Sequence, residues 1–353
     1  MRMKEVIKDR LNRAVKEKVF PGGVVGVVQK NGEKVIIPAG SFTYDEGSRV
    51  VEAETPYDLA SLTKSIPTAS VALSLIEQGK LSLDDQFTLF VPECTNQYRE
   101  KILIRHLLTY SIIGNLPTPG FSFQTATAET MWQNLLSVDL KYPPGDVSQY
   151  SNMPALFLTK VIERVTGKGI DVLGREYFFE PLDMLSAIFL PLDHESVPPT
   201  EIDAWRGLVQ GFVHDETSYI LQRDNEASCC AGLFANAPDI LKFIEMLLNE
   251  GKLHGKRYFS PETVRTMYTN QLASIGASMG LGWELNDPQF MGRFSSETMF
   301  GKTGFTGTSC VLDIPRGVGY VLLSNRTYPK RTSADAIRQV RRDISDIVFT
   351  NER

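Results

Sequence analysis

The chain has 353 residues, of which 42% are hydrophobic and 22% are charged, with 27 glycines and 19 prolines. This balance is typical of a folded globular protein and excludes the disordered, collagen-like and disulfide-scaffold classes. Lysine and arginine number 37 against 42 aspartate and glutamate, which gives a formal net charge of −5. Because the chain is acidic overall and has no basic run, we expect no nucleic acid as its partner.

The two ends of the chain predict an antiparallel sheet. Five short runs have the β-branched or alternating pattern of strands: residues 24–28, 34–37, 282–285, 309–314 and 318–324. Asn31-Gly32 separates the first two runs and is a strong hairpin signal. Helical periodicity over residues 4–18 and from Ile337 to Ile347 adds a helix at each end. We therefore expect a sheet of about five strands, built from both termini and flanked by helices.

The middle of the chain is predicted to be mostly helical. Helical patterns with start or stop signals cover three segments: residues 69–78, 154–165 and 238–250. A glycine follows each segment within two residues, as helix C-termini favour. The predicted fold class is α+β. We expect residues 1–57 and 232–353 to form an α/β region with the sheet, and residues 58–231 to form an inserted, mostly helical region.

The chain carries no visible targeting or membrane signal. The N-terminus lacks the apolar core of a signal peptide, and no stretch approaches the roughly 20 apolar residues that span a bilayer. The adjacent Cys229 and Cys230 would form a strained bridge, so we expect reduced thiols and a cytoplasmic protein. The four histidines are scattered without metal-ligand spacing, so we expect neither a metal nor another cofactor.

The first motif that can carry chemistry is Ser61-Leu62-Thr63-Lys64. It opens a helix predicted to run towards Gln78, and a spacing of three places Ser61 and Lys64 on one helical face. A serine hydroxyl is a weak nucleophile until a neighbour takes its proton. A buried lysine can do so, because desolvation disfavours its charged form. Taken alone, the motif is better explained by a serine N-cap followed by a solvated lysine.

The second motif is Tyr150-Ser151-Asn152. It lies between a proline-rich turn at residues 143–145 and the helix that Pro154 begins, so its loop is held at both ends. Such a loop is a good platform for a tyrosine and an amide that face a cleft. The alternative for this motif alone is a tyrosine packed on a helix start, with the asparagine as a cap.

The third motif is Gly301-Lys302-Thr303-Gly304, directly before a predicted strand. Its glycines allow a backbone to approach a ligand closely, while the lysine and threonine offer a cation and a hydroxyl. A phosphate-binding P-loop is excluded, because Ser296 stands where that motif needs a glycine and a strand follows instead of a helix. A solvated turn explains the motif only if it is taken alone.

Together and in this order, the three motifs resemble those of the penicillin-recognising serine hydrolases. With a tyrosine in its second motif, the chain resembles one branch of this family in particular. That branch contains class C β-lactamases, class C-type penicillin-binding proteins, D-amino-acid peptidases and esterases. The resemblance extends over about residues 20–330 and includes segments at 106–109, 231–234 and 280–283. It implies a β-lactamase/transpeptidase-like fold and hydrolysis through a covalent acyl-enzyme.

The resemblance also implies a role for each matching residue. It makes Ser61 the nucleophile, with Lys64 and Tyr150 sharing the proton transfer. The implied substrate-binding set consists of Asn152, Lys302, Thr303, Gly304 and Phe305. In this set the amide binds the acyl side chain, and the lysine and threonine bind a carboxylate. The backbone N–H groups of the nucleophile and of the phenylalanine form an oxyanion hole.

Three features depart from the family pattern or compete with it. Phe305 stands where many β-lactamases have a small residue, so we expect its ring to narrow the cleft and disfavour bulky β-lactams. Residues 276–280 match the G-x-S-x-G of α/β-hydrolases around Ser278, but a predicted strand follows, so we interpret the match as accidental. His214 either lines the cleft or is a hydrogen-bonded loop histidine.

The leading interpretation is a serine hydrolase that acts on D-amino-acid peptides or β-lactams, with a small molecule or peptide as its partner. A small-ester carboxylesterase of the same fold is the alternative within the enzymes. From other classes, the chain could be a β-lactam-binding protein that is acylated without turnover, or a pseudoenzyme that only binds ligand. The intact Ser61, Lys64, Tyr150 and Lys302 argue against the pseudoenzyme.

Overall fold

A computed structural model describes residues 2–114, 121–189 and 193–350 of the chain. The strands in these ranges are β1 (Gly22–Gln29), β2 (Lys34–Gly40), β3 (Tyr57–Asp58), β4 (Glu201–Asp203), β5 (Gly207–Val209), β6 (Phe234–Ala235), β7 (Lys252–Leu253), β8 (Lys256–Arg257), β9 (Glu284–Leu285), β10 (Met299–Thr303), β11 (Ser309–Asp313) and β12 (Val318–Ser324). The α-helices are α1 (Arg2–Lys16), α2 (Ser70–Glu77), α3 (Ile104–Leu108), α4 (Ala128–Ser137), α5 (Met153–Thr166), α6 (Ile170–Gly174), α7 (Glu216–Arg223), α8 (Ala237–Leu248), α9 (Pro261–Tyr268), α10 (Pro288–Met291) and α11 (Asp335–Phe349).

The main sheet has six antiparallel strands in the order β2-β1-β12-β11-β10-β9. The prediction of an α+β fold with one antiparallel sheet from both termini is confirmed. The expected strand number was too low, because β10 was not recognised as a strand. Its sequence contains Gly301 and Lys302. Glycine is depleted in strands and lysine is rarely buried, so neither residue indicates a buried strand. The remaining strands form the short pairs β3-β6, β4-β5 and β7-β8.

Helices cover both faces of the sheet. Side chains of β1 alternate, so that Val24 and Val28 pack towards α8 while Val25 and Val27 pack towards α1 and α11. Gly26 lies on the α8 side, where a Cβ atom would come within 2.9 Å of Leu241. The absence of a side chain there lets α8 approach the sheet closely. The hairpin at Asn31-Gly32 and both terminal helices agree with the sequence prediction.

The predicted helix from Ser61 to Gln78 is interrupted. Residues Ala60–Lys64 form a 3₁₀ turn, Ile66 has extended backbone angles (φ −120°, ψ 106°), and α2 begins only at Ser70. The reason is Pro67, since a residue that precedes proline is disfavoured in the helical region. Ser61 and Lys64 still lie on one side of the turn, because side chains three residues apart eclipse each other in a 3₁₀ turn.

The largest cluster of buried apolar side chains contains residues from both predicted regions, including Val24, Leu62, Phe157 and Leu323. The boundaries at 57/58 and 231/232 therefore stay a prediction. All four cysteines are unpaired and buried, in agreement with the predicted reduced thiols. Within the described ranges, none of the helices combines the length and the apolar character that a bilayer crossing requires.

Candidate active site

The three motifs meet at one cavity, which we call the Ser61 cleft. It has a volume of about 470 Å³, and six of the predicted site residues line it: Ser61, Tyr150, Asn152, Thr303, Gly304 and Phe305. The other two, Lys64 and Lys302, lie behind this lining and contact it. The structure thus brings together all eight residues that the sequence singled out.

Ser61 lies between two groups that can exchange protons with it. The Lys64 ammonium donates a hydrogen bond of 2.9 Å to the Ser61 Oγ, and the Tyr150 hydroxyl lies 2.6 Å from the same oxygen. Residues 61 and 150 come from distant parts of the sequence, so the contact depends on the tertiary fold. A hydroxyl held between an ammonium and a phenol is arranged for nucleophilic attack with proton transfer.

The surroundings of Lys64 favour its charged form, whereas the sequence led us to expect that burial would favour the neutral amine. Its side chain is buried, and its ammonium also donates a 2.8 Å hydrogen bond to the Cys230 carbonyl. Burial works against the charge, but the acidic groups of Cys230 and Tyr150 beside it outweigh burial and hold the pKa of Lys64 above its ordinary value. A raised pKa keeps Lys64 a cation, which donates to both the Ser61 Oγ and the Cys230 carbonyl.

Tyr150 projects from the loop before α5, and 45% of its surface is exposed. The loop is attached to the segment after α3, because the Gln149 N–H donates to the Tyr110 carbonyl at 3.1 Å. The rings of Tyr110 and Tyr150 pack 5.5 Å apart. The backbone hydrogen bond of Gln149 and the ring contact with Tyr110 therefore hold Tyr150 in place. The exposed part of its ring borders the cleft.

Lys302 has no exposed side-chain surface, and it donates a 2.8 Å hydrogen bond to the Glu284 carboxylate on β9. Its ammonium lies 4.4 Å from the ring centroids of both Tyr110 and Tyr150. Burial works against this charge, but Glu284 holds the pKa of Lys302 above its ordinary value. Glu284 is not part of any of the three motifs. Its only signal was a single carboxylate within a short predicted strand.

Asn152 lies at the start of α5, and its amide donates a 2.9 Å hydrogen bond to the Asp215 carboxylate. The other oxygen of Asp215 accepts from the Ser218 N–H at 2.9 Å and caps α7. Asp215 thus orients the amide from the opposite wall of the cleft. The contact between Asn152 and Asp215 was not predictable from local patterns, because it joins segments 63 residues apart.

Gly304 and Phe305 form the end of the cleft beside β10. A Cβ atom on Gly304 would lie 2.0 Å from the Thr308 Oγ1 and 2.6 Å from the Leu59 carbonyl oxygen, so only glycine fits there. The Phe305 ring is 48% exposed and lies 5.6 Å from the His214 ring. The ring borders the same cavity as Ser61, as the predicted narrowing requires.

His214 combines both predicted alternatives. It lines the Ser61 cleft, and its Nδ1 lies 3.1 Å from the Thr200 hydroxyl. Burial, assisted by the nearby Arg331 and Arg206, lowers the pKa of His214 to about 3. The imidazole is therefore neutral near physiological pH and acts as a wall of the cleft beside Phe305.

Four arginines from the segment after β12 and from the first two turns of α11 line the cleft: Arg326, Arg331, Arg338 and Arg341. Arg331 and Arg338 pair with carboxylates, but Arg326 and Arg341 donate to the carbonyls of Phe305 and Gly304 instead. Burial and neighbouring guanidinium groups lower the pKa of Arg341 to about 10 and also lower the pKa of Arg326. This wall is electropositive and favours an anionic group of a substrate.

Asp58 lies beneath the nucleophile turn and is buried. Its carboxylate accepts hydrogen bonds from the Ala60 N–H at 2.7 Å and from the His214 N–H at 2.8 Å. It therefore joins the backbone before Ser61 to the wall that carries Asp215. Ala60 has a positive φ of 48°, a conformation that residues other than glycine adopt rarely. Asp58 is not part of any of the three motifs, so the sequence did not predict its role.

We expect enzymatic activity to fall as the pH drops through about 6, because burial raises the pKa of Asp58 to about 6. Below that pH the carboxyl carries a proton, and one of its oxygens becomes a poorer acceptor for the backbone N–H groups. Asp58→Asn should lower kcat/KM at pH 7.5 and flatten the acid limb of the pH profile. Asp9→Asn, on the exposed face of α1, is the control. An unchanged acid limb in Asp58→Asn would contradict this assignment.

Other candidate sites are not assembled. Ser278 lies in an irregular segment before β9, donates to the Leu285 carbonyl at 3.3 Å and is not followed by a helix, so the G-x-S-x-G match is not a nucleophile elbow. Among the described residues, no group of three or more His, Cys, Asp or Glu side chains is placed to hold a metal ion.

The chain matches the family model of beta-lactamases over residues 7–343 and belongs to that family. Its fold and this match define a hydrolase with the β-lactamase/transpeptidase-like fold, as the motifs predicted.

Comparison with known proteins adds relatives with several activities. The chain is 26% identical to the N-acetylmuramyl-L-alanine amidase of Bacillus subtilis (strain 168), over 88% of this chain and 78% of that protein. It is 28% identical to an Escherichia coli (strain K12) protein whose name proposes a D-alanyl-D-alanine carboxypeptidase, over 78% and 70% of the two chains. The solved structure of EstCE1, a hydrolase with promiscuous acyltransferase activity, superposes with a TM-score of 0.79 at 21% identity, over 99% and 98%.

Proposed function

We propose that the protein is a serine hydrolase that forms a covalent acyl-enzyme at Ser61, on D-amino-acid peptides, β-lactams or related carboxylate-bearing amides and esters. The observation that carries the proposal is the position of the Ser61 Oγ, 2.9 Å from the Lys64 ammonium and 2.6 Å from the Tyr150 hydroxyl. Relatives named as an amidase and a D-alanyl-D-alanine carboxypeptidase support this substrate range.

In the proposed mechanism, the Ser61 oxygen attacks the substrate carbonyl carbon while its proton passes to the Tyr150 oxygen, which acts as the general base. The ammonium of Lys64 stabilises the negative charge that develops on the serine oxygen. The backbone N–H groups of Ser61 and Phe305 are the proposed oxyanion hole. Tyr150 then returns the proton to the leaving amine or alcohol as its bond to the carbonyl carbon breaks. Water releases the acyl group by the reverse sequence of proton transfers.

The position of Lys302 favours a role in this proton network over direct contact with substrate. Its ammonium is buried and paired with Glu284, and it faces the Tyr150 ring. We infer that a substrate carboxylate meets Thr303 and the arginine wall, in which Arg338 is the more exposed of the two arginines on α11. In this proposal Lys302 serves the proton network, whereas Thr303 and Arg338 bind the substrate carboxylate.

We expect Lys302→Met to lower kcat/KM for penicillins and for p-nitrophenyl acetate to a similar extent, by about 100-fold or more as for lost proton-transfer groups. Arg338→Ala should instead penalise only the carboxylate substrate, by about two- to fivefold, because exposed charge contacts contribute roughly 0.2–1 kcal/mol. Arg342→Ala, one turn away and outside the cleft lining, is the control. The double variant Lys302→Met, Glu284→Gln separates lost pairing from lost stability.

A Lys302→Met defect confined to carboxylate substrates would return this lysine to the substrate-binding set. If Arg338→Ala leaves both substrate types unchanged, the arginine wall is not the carboxylate site. A small-ester carboxylesterase then becomes the leading function. The exposed Phe305 ring beside Ser61 favours that alternative, because it leaves less room for a bulky substrate.

The third possibility, a protein that is acylated and then stalls, differs in the rate of deacylation alone. Acyl-enzyme lifetimes of an hour and a millisecond differ by about 9 kcal/mol of barrier. Intact-mass spectrometry at intervals after addition of a penicillin separates the cases. A hydrolase loses its adduct as substrate is consumed, whereas a stalled binder keeps it.

A further inference from the structure

The peptide group between Gly304 and Phe305 is bound by an arginine at its carbonyl end. The Arg341 Nη2 donates a hydrogen bond of 2.7 Å to the Gly304 carbonyl and one of 2.8 Å to the Thr308 carbonyl. In a trans peptide the carbonyl and the N–H point in opposite directions, so the arginine lies on the side away from the Phe305 N–H. That N–H has no hydrogen-bond partner among the described residues, which leaves it available to a ligand in the cleft.

Arg341 is a buried cation without an acidic partner. Only 7% of its surface is exposed. In the described part of the chain it forms no ion pair, and its Nε has no hydrogen-bond partner. Burial of an unpaired charge costs free energy. With its pKa lowered to about 10, the guanidinium still carries its charge near neutral pH. This charge therefore acts on the two carbonyls and is not neutralised by a carboxylate.

The turn that contains this peptide is attached to the segment before Ser61. The Thr306 hydroxyl donates to the Asp58 carbonyl at 2.9 Å, and the Thr308 hydroxyl donates to the Leu59 carbonyl at 2.9 Å. These hydrogen bonds join the two segments that carry the N–H groups of the proposed oxyanion hole. A group that fixes the turn therefore also fixes the position of one of these N–H groups relative to the other.

We propose that Arg341 is a positioning residue, which orients and polarises the Gly304–Phe305 peptide so that the Phe305 N–H is a stronger donor to the oxyanion. The inference rests on the proposed function, in which this N–H stabilises the tetrahedral intermediate. A cation at the carbonyl oxygen draws electron density away from the N–H, and hydrogen bonds in such a chain strengthen one another by about 10–30% each. Arg341 thus acts on the reaction through the peptide and not by contact with the substrate.

This role differs from the one proposed for Arg338. A residue that binds a substrate carboxylate affects only the substrates that carry one. A residue that strengthens the oxyanion hole affects every acyl substrate, because each of them develops negative charge on its carbonyl oxygen. We therefore expect loss of Arg341 to slow the acylation of Ser61 by neutral and by carboxylate-bearing substrates to the same extent.

The test replaces Arg341 by methionine, which removes the charge and keeps an unbranched side chain. Loss of an oxyanion-hole donor lowers kcat by about 100- to 1,000-fold, so loss of a group that only positions the donor should cost less, about 10- to 30-fold. This decrease is expected in the second-order rate constant of acylation by p-nitrophenyl acetate and by a penicillin. The inhibition constant of phenylboronic acid, which forms a tetrahedral adduct with a serine, should rise by the same factor. Arg341→Lys keeps a cation and should recover most of both losses.

Arg342→Met is the matched control, because Arg342 follows directly on α11 and bonds to Gln289 and Gln339 outside the cleft lining. It should keep the wild-type values. Equal changes in Arg341→Met and Arg342→Met would overturn the proposal. So would a wild-type inhibition constant for phenylboronic acid in Arg341→Met, or a loss of acylation confined to the penicillin.

A further variant protects the test against misfolding of Arg341→Met. The neutral amide in Arg341→Gln can donate a hydrogen bond but carries no charge, so acylation should be slower than in Arg341→Lys. Equal rates in Arg341→Gln and Arg341→Lys would overturn the role of the charge. Failure of the proposed function looks different, since neither substrate would then acylate the wild-type protein and a fluorophosphonate would not label Ser61.

Discussion

Ser61→Ala is expected to lower kcat for ester and β-lactam hydrolysis by at least about 1,000-fold, because removal of a nucleophile abolishes the covalent route. The side chain is small and lies at a cleft surface, so the melting temperature should change little. Initial rates with p-nitrophenyl acetate and a chromogenic cephalosporin measure the effect.

Ser278→Ala is the matched control for this substitution. Ser278 lies in the only G-x-S-x-G match in the sequence, yet its hydroxyl is bonded to the Leu285 carbonyl away from the Ser61 cleft. We expect this variant to keep wild-type activity. An inactive Ser278→Ala together with an active Ser61→Ala would reverse the assignment of the nucleophile.

Tyr150→Phe should lower kcat/KM by about 100- to 10,000-fold, the range typical of general acid–base groups. The substitution removes the hydroxyl 2.6 Å from the Ser61 Oγ and keeps the ring that packs against Tyr110. The loss should appear in acylation, measured as the rate of adduct formation with a penicillin. Circular dichroism and the melting temperature should stay close to those of the wild-type protein.

Tyr142→Phe, an exposed tyrosine in the preceding turn, is the control for a lost phenol. It should leave acylation unchanged. Near-normal acylation in Tyr150→Phe would make Lys64 the sole base. That result would contradict the inference that the neighbours of Lys64 keep it protonated.

Local patterns predicted the outer parts of the fold well. The β1–β2 hairpin follows from Asn31-Gly32 between β-branched runs, and α5 ends at the predicted Gly167. The helix α8 ends at Leu248, three residues before the predicted Gly251. Such features depend on residues near each other in sequence. The interrupted segment after Lys64 is also local, and Pro67 was the available sign that a continuous helix was the wrong prediction.

The strand β10 could not be recognised from its own residues. Lys302 is buried within it only because Glu284 on β9 and the rings of two tyrosines surround its charge. In a sequence, a lysine is predicted to lie at the surface unless the partners that would pair with its buried charge are known. The same reason explains why the motif was expected before a strand and not inside one.

The partners that orient the site residues are contributed by distant segments. The Asp58 carboxylate accepts a hydrogen bond from the backbone N–H of His214, 156 residues away in the sequence. The Asp215 carboxylate accepts one from the amide of Asn152, 63 residues away. Sequence motifs identify groups that react, whereas the groups that position them become visible only when the chain has folded.

The central claim is that Ser61 is the nucleophile, and a fluorophosphonate probe followed by intact-mass spectrometry and peptide mapping tests it most directly. We predict one adduct per chain, on the peptide that contains Ser61, and no adduct in Ser61→Ala. An adduct on the peptide that contains Ser278, or an undiminished adduct in Ser61→Ala, would contradict the account.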